Sequence, residues 1–133
     1  MNRHYPSVAR RGGHRCEYCR APEGVFNFLF EVEHIIPTSR GGTDGEANLC
    51  LACRACNLRK ADRLVAMDDV TRQEVPLFHP REQRWEEHFR VDPESGEIEG
   101  LTPTGRATVR CLDLNHPLQV AARLLWIRLR MFP

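Results

Sequence analysis

Two cysteine pairs of matched spacing, Cys16-Glu17-Tyr18-Cys19 and Cys53-Arg54-Ala55-Cys56, enclose a carboxylate, a histidine and a carboxamide, with a second carboxamide directly behind. These residues are the adjacent Glu33 and His34, then Asn48, and Asn57 straight after the last cysteine. Two Cys-x-x-Cys pairs can supply four thiolates, the ligand set of a tetrahedral structural zinc. Four protein ligands leave no open position, so that ion would hold shape and do no chemistry. The bracketed residues are of the kind that does. Histidine titrates near neutrality and can take a proton from water. Carboxylate and amide oxygens suit a hard divalent ion such as magnesium. A base for water beside an oxygen-ligated cation meets the demands of phosphodiester hydrolysis.

The 33 residues between Cys19 and Cys53 exceed the usual zinc-ribbon gap, and the excess is the functional insertion. Two other cysteine readings stand beside this one. A redox Cys-x-x-Cys needs only one pair, in a thioredoxin-like context that is not evident here. Cys50 also stands three residues before Cys53, so Cys50 with Cys53 is a second possible pair, leaving Cys56 spare. Leu49-Cys50-Leu51 reads as a buried strand in which cysteine is a small hydrophobe, which favours Cys53 with Cys56. Cys111 is expected in the core.

The elements that must position these residues are short. With 133 residues, 41% of them hydrophobic, the chain suits one domain with an appendage or two very small units. Units of about sixty residues commonly need a metal or disulfides. No apolar run reaches the length of a membrane span and no signal peptide stands at the N-terminus, so a reducing cytoplasm is the expected compartment. The net charge of +1 hides local clusters. Basic residues gather before Cys19 and between residues 54 and 63, which suits a phosphate backbone.

Residues 1–13 read as a flexible basic arm. Val25 to Ile36 alternates apolar residues (Phe26, Phe28, Phe30, Val32) and predicts a strand, with a return strand near Asn48–Leu51 and a helix from Arg54 to about Leu64. Met67 to Pro80 reads as a connector. Trp85 to Leu101 predicts a hairpin about the turn Asp92–Gly96, followed by short helices opened by Thr102-Pro103 and Asn115-His116-Pro117. The expected class is α+β: a small zinc-stapled core over residues 14–66 and a hairpin-plus-helices extension over 67–133. Trp85, Phe89 and Trp126 are expected in the core, and the last helix packs on the hairpin or offers a surface to a second copy or another protein.

Cys16-x-x-Cys19, Glu33-His34-Ile35-Ile36-Pro37, Gly41-Gly42, Asn48-Leu49, Cys53-x-x-Cys56-Asn57 and Lys60, in that order and spacing, resemble the zinc-containing HNH endonucleases, the ββα-metal or His-Me finger family. The resemblance covers about residues 14–63. It implies His34 as general base, Asn48 orienting the loop that carries it, and Asn57 with Glu33 holding a catalytic magnesium, manganese or similar ion. Glu33 stands where the family often has aspartate, and Asn57 where many members have histidine. The activity implied is cleavage of DNA, more readily double-stranded, leaving a 5′-phosphate. Arg15, Arg40, Arg54, Arg59, Lys60 and Arg63 are the candidate nucleic-acid contacts. Two further readings remain: a zinc module that binds nucleic acid or protein without cutting, and a nuclease of this fold acting on RNA.

Overall fold

The chain begins with a helix rather than the expected free arm. A computed structural model describes all residues, 1–133, and in it α1 spans Tyr5–Arg11. Pro6 suits its first turn, Arg10 and Arg11 face the negative end of its dipole, and Gly12-Gly13 ends it. Val8 and Ala9 are buried, and Arg11 Nη2 donates to the Leu49 carbonyl at 2.6 Å. A basic segment thus docks through its two small apolar residues.

Strands β1 (Glu31–His34) and β2 (Leu49–Ala52) pair antiparallel, with Glu33 opposite Cys50 and His34 opposite Leu49. The strand predicted from Val25 is shorter than expected because a strand extends only as far as its partner. β2 stops where Cys53 caps the next helix, so Phe26, Phe28 and Phe30 have no strand to pair with. They form an edge-to-face cluster instead, with Phe26–Phe30 centroids 4.9 Å apart. The backbone of β2 also bonds Glu17 of the first knuckle: Glu17 N donates to Leu51 O at 2.8 Å, and Leu51 N to Glu17 Oε2 at 2.7 Å. Every residue of β2 is buried.

Helix α2 spans Arg54–Lys60, and Ala61 then turns left-handed with φ 51°. The helix therefore stops short of Leu64. The expected connector contains a hairpin, β3 (Val65–Asp68) with β4 (Gln73–Pro76). Its turn hangs on Asp68, which accepts from the backbone of Val70 and Thr71 and from the Thr71 hydroxyl, and which Arg106 grips through two nitrogens. That long-range grip leaves no local mark in an otherwise exposed stretch. A single helical turn, α3 (Trp85–His88), leads into the hairpin β5 (Phe89–Val91) and β6 (Ile98–Gly100), followed by α4 (Pro103–Cys111) and α5 (Pro117–Arg128). Thr102 and His116 cap the two helices with side-chain acceptors. Gly105 lets α4 approach α3, since a Cβ there would meet the His88 carbonyl oxygen at 2.1 Å.

The result is α+β, with helices around three small antiparallel sheets. One hydrophobic cluster runs through Val8, the cysteine knuckles and β2, and on through Phe78, Trp85, Phe89 and Leu114. Trp85 Nε1 donates to the Tyr18 carbonyl at 2.8 Å, fastening the extension to the first knuckle. Leu118 and Leu125 of α5 and Leu129 just after it are exposed. No helix is long and apolar enough to cross a membrane.

Candidate active site and metal centre

The four cysteines of the two pairs converge. The sulfurs of Cys16, Cys19, Cys53 and Cys56 all lie within 4.8 Å of one another, and all four residues are buried. Cys19 and Cys53 Sγ are 3.8 Å apart. A tetrahedron with Zn–S bonds of about 2.3 Å has edges of about 3.8 Å, so the cluster fits such an ion. In each pair the backbone N–H of the second cysteine points at the first sulfur, at 3.5 Å. Crowding acts on the thiols: the neighbouring Cys16 sulfur, first among the causes, holds Cys56 well above the usual thiol range. The four sulfurs are placed to hold a cation among them. Cys50 lies outside the cluster, with its thiol directed at Glu33 Oε2, 3.3 Å away. The alternative pairing of Cys50 with Cys53 is thereby excluded.

His34 ends β1 and its side chain is partly exposed. Nε2 lies 2.7 Å from Asp44 Oδ1, and this partner holds the Asp44 carboxyl below the usual carboxylate range. Asn48 spans the loop between them. Its Oδ1 accepts from Ile36 N at 2.8 Å, and its Nδ2 donates to Ile36 O at 3.0 Å and Thr43 O at 2.9 Å. The segments on either side of the loop, one following His34 and the other preceding Asp44, are thus bound to one side chain. Gly42 sits inside this clamp, where a Cβ would meet the Ile36 carbonyl oxygen at 1.7 Å. Asp44 was not among the residues expected from sequence. Its loop is rich in turn formers, and an aspartate there reads as a turn residue.

Glu33 faces the interior. Its carboxylate lies 3.0 Å from Lys60 Nζ, with the two side chains only 5% and 2% exposed, and Lys60 also donates to the Ile35 carbonyl at 2.8 Å. Burial raises the Glu33 carboxyl above its usual range, and Lys60 opposes that rise. Lys60→Met would leave a buried carboxylate without its counter-charge, at about 3–5 kcal/mol. The sign with pH follows: a carboxyl with its folded pKa above the unfolded value loses stability as pH rises past the latter. Thermal unfolding of Lys60→Met should therefore show a larger deficit against wild type at about pH 8 than at about pH 5, and Glu33→Gln in the same chain should recover part of it.

Asn57, one turn earlier on α2, meets Glu31 rather than Glu33: its amide Nδ2 bonds Glu31 Oε2. Arg54 stands 3.6 Å from the other Glu31 oxygen. Glu31 and Asn57 line an open cleft of about 420 Å³ together with Val32 and the N-terminal residues Met1, Asn2 and Tyr5. Oxygen donors suited to a hard cation are therefore present in two places, the open Glu31–Asn57 pair and the buried Glu33. The signal for Glu31 was its place two residues before Glu33, on the same face of the strand.

The expected phosphate contacts divide by exposure. Arg54, Arg40 and Arg63 have exposed side chains. Arg40 also donates to the Asp62 carbonyl at 2.8 Å. Arg59 reaches the carbonyls of Leu112 and Asp113. Arg15 is partly buried and donates to the carbonyls of Arg20 and Met131. Lys60 leaves the set, because at 1% exposure its ammonium cannot meet a phosphate.

Residues 16–63 match the family described as HNH endonuclease. No curated protein and no solved structure matches the chain.

Proposed function

We propose that this protein, whose residues 16–63 match the HNH endonuclease family, is a metal-dependent DNA endonuclease in which His34 activates the attacking water. The observation that carries this reading is the His34–Asp44 pair at 2.7 Å, set at the partly exposed end of β1 and fastened by Asn48. With Nε2–H donated to Asp44, the lone pair of Nδ1 is free to take the proton of a water. That water attacks phosphorus, the bond to the 3′ oxygen breaks, and the product carries a 5′-phosphate. Asp44 favours the imidazolium formed in the step, in the way a carboxylate supports a histidine base elsewhere. Arg54, Arg40 and Arg63 offer positive charge to the flanking phosphates. A zinc ion in the cysteine cluster holds the two knuckles and takes no part in the chemistry.

Asn57 and the β1 carboxylates are the residues proposed to hold a catalytic magnesium or manganese ion. When bound, such an ion would absorb charge on the phosphate and the leaving oxygen. Glu31 already lies against Asn57, whereas Glu33 contributes only if its carboxylate leaves Lys60. Glu31→Gln and Glu33→Gln are each expected to raise the manganese concentration for half-maximal cleavage by about tenfold or more, the scale on which weakened metal sites respond. A variant that leaves this concentration unchanged removes its residue from the ion-holding set.

The test of the function is nicking of supercoiled plasmid with magnesium or manganese, against the same reaction in chelator and against labelled RNA. Divalent-dependent nicks that a ligase can reseal are expected. Binding without cleavage under every ion would favour the zinc-module reading, and cleavage confined to RNA would move the substrate class.

A further inference from the structure

We propose that the apolar cleft between α2 and α5 takes an unpaired base of a DNA substrate, and so directs this protein to DNA with a base out of the duplex stack. For its substrate class the inference rests on the nuclease reading above. The cleft encloses about 660 Å³, within the range of about 300–1,000 Å³ that small-ligand sites occupy. Phe26, Phe28 and Trp126 line it, with Leu58 and Leu118. Phe28, Leu58 and Leu118 are 52%, 64% and 76% exposed. Large apolar side chains left in water around one cleft mark a binding surface.

Ring geometry and charge together name the occupant. Phe26 lies 5.9 Å from Phe28 and 6.0 Å from Trp126, with ring planes at 73° and 54°. The rings therefore do not stack on one another, and ring surface stays free for a flat ligand. Arg54 and Arg59 also line the cleft, and no aspartate or glutamate does. A second copy packed patch on patch would bring this arginine rim against itself. An anionic chain bearing flat, apolar faces meets both parts of the lining: phosphates for the arginines, a base for the rings.

The cleft is continuous with the candidate active site. Arg54 stands 3.6 Å from one Glu31 oxygen, and the other Glu31 oxygen meets Asn57. One arginine therefore belongs to both, and a strand that crosses it reaches the proposed ion-holding residues from the cleft. A paired base is stacked on both faces and offers only its edges, so the rings can reach a base only once it has left the stack. Stacking of this kind tolerates any base, because every base has a π-face. Residues 16–63 supply one side of the cleft and α5 the other, which gives the extension a part in choosing the substrate.

The test is binding of the zinc-loaded whole chain, with no magnesium or manganese added, to a labelled DNA duplex with a single-nucleotide bulge and to the same duplex fully paired. The bulged duplex should bind about tenfold tighter, the scale of one stacked base. Phe28→Leu, which keeps apolar bulk and removes the ring, should lose this preference, and Phe28→Tyr should keep it within about threefold. A fluorescent adenine analogue at the bulge should be quenched by wild type and not by Phe28→Leu. If Phe28→Leu does not fold, quenching by wild type and by Phe28→Tyr decides: its presence supports the proposal and its absence rejects it. Equal affinity for the two duplexes overturns the proposal, as does a preference that folded Phe28→Leu retains or one confined to RNA. A dimer in sedimentation that Leu118→Glu disperses would assign the cleft to a second copy and also overturns it. Neither readout needs cleavage. Bulge preference without cutting supports the cleft and fails the nuclease reading, whereas cutting without bulge preference does the reverse.

Discussion

Cys56→Ser unfolds this protein rather than weakening it: that is the expected result, with loss of zinc and of folded structure together. The cluster joins the first knuckle to the cap of α2, and both knuckles lie in the single hydrophobic core. Structural zinc contributes on the order of 10–16 kcal/mol in small peptides. That matches or exceeds the whole stability of a typical domain, about 5–15 kcal/mol. Cys56 also stands next to Asn57, so losing its ligand bond frees the start of the helix that presents Asn57 and Lys60. Circular dichroism with metal analysis of the purified chain measures both quantities. A cooperatively folded, zinc-free Cys56→Ser protein would show that the knuckles hold without an ion. Chelation of the wild-type chain should have the same outcome, reversible on adding zinc.

His34→Ala is expected to remove cleavage and leave the fold. General-base catalysis is worth about 10²–10⁴-fold, and the rate should fall by that range. The side chain is partly exposed and its hydrogen bond is to exposed Asp44, so truncation opens no buried cavity. Zinc content and the unfolding midpoint should stay at wild-type values. Asp44→Asn, which keeps the size of the partner and removes its charge, should cost about tenfold, less than loss of the base itself. Cleavage by His34→Ala at the wild-type rate would remove His34 from the mechanism and direct attention to the other groups around the Glu31–Asn57 cleft.

Much of the core was legible in the chain because its signals are local. A Cys-x-x-Cys knuckle is made within four residues, and both pairs closed as spaced. Asn48 next to a return strand, Thr102-Pro103 and His116-Pro117 as helix openings, and the turn at Asp92–Gly96 depend on neighbours in sequence, and all appear in the fold. The failures have one physical character. α1 forms where an arm was expected because Val8 and Ala9 find the buried core, an attraction absent from the segment itself. The β3–β4 hairpin depends on Arg106 holding Asp68, 38 residues away. The aromatic run before Glu31 satisfies the alternation of a strand yet lacks a partner, and backbone pairing, not alternation, makes a sheet.

By itself the sequence determined which four cysteines are placed to hold a metal, the order of Glu33, His34, Asn48 and Asn57, and hence the family to which residues 16–63 are matched. Only the tertiary structure decided what each charge meets. Helix α2 lies along one face of β1, so Asn57 meets Glu31 while Lys60, one turn on, enters the interior and neutralises Glu33. The same packing placed Arg123 in the core with no carboxylate partner. Residue type states that a side chain carries charge. Whether it meets water, an ion or a counter-charge depends on which surfaces the fold brings together, and burial sets the energetic consequence.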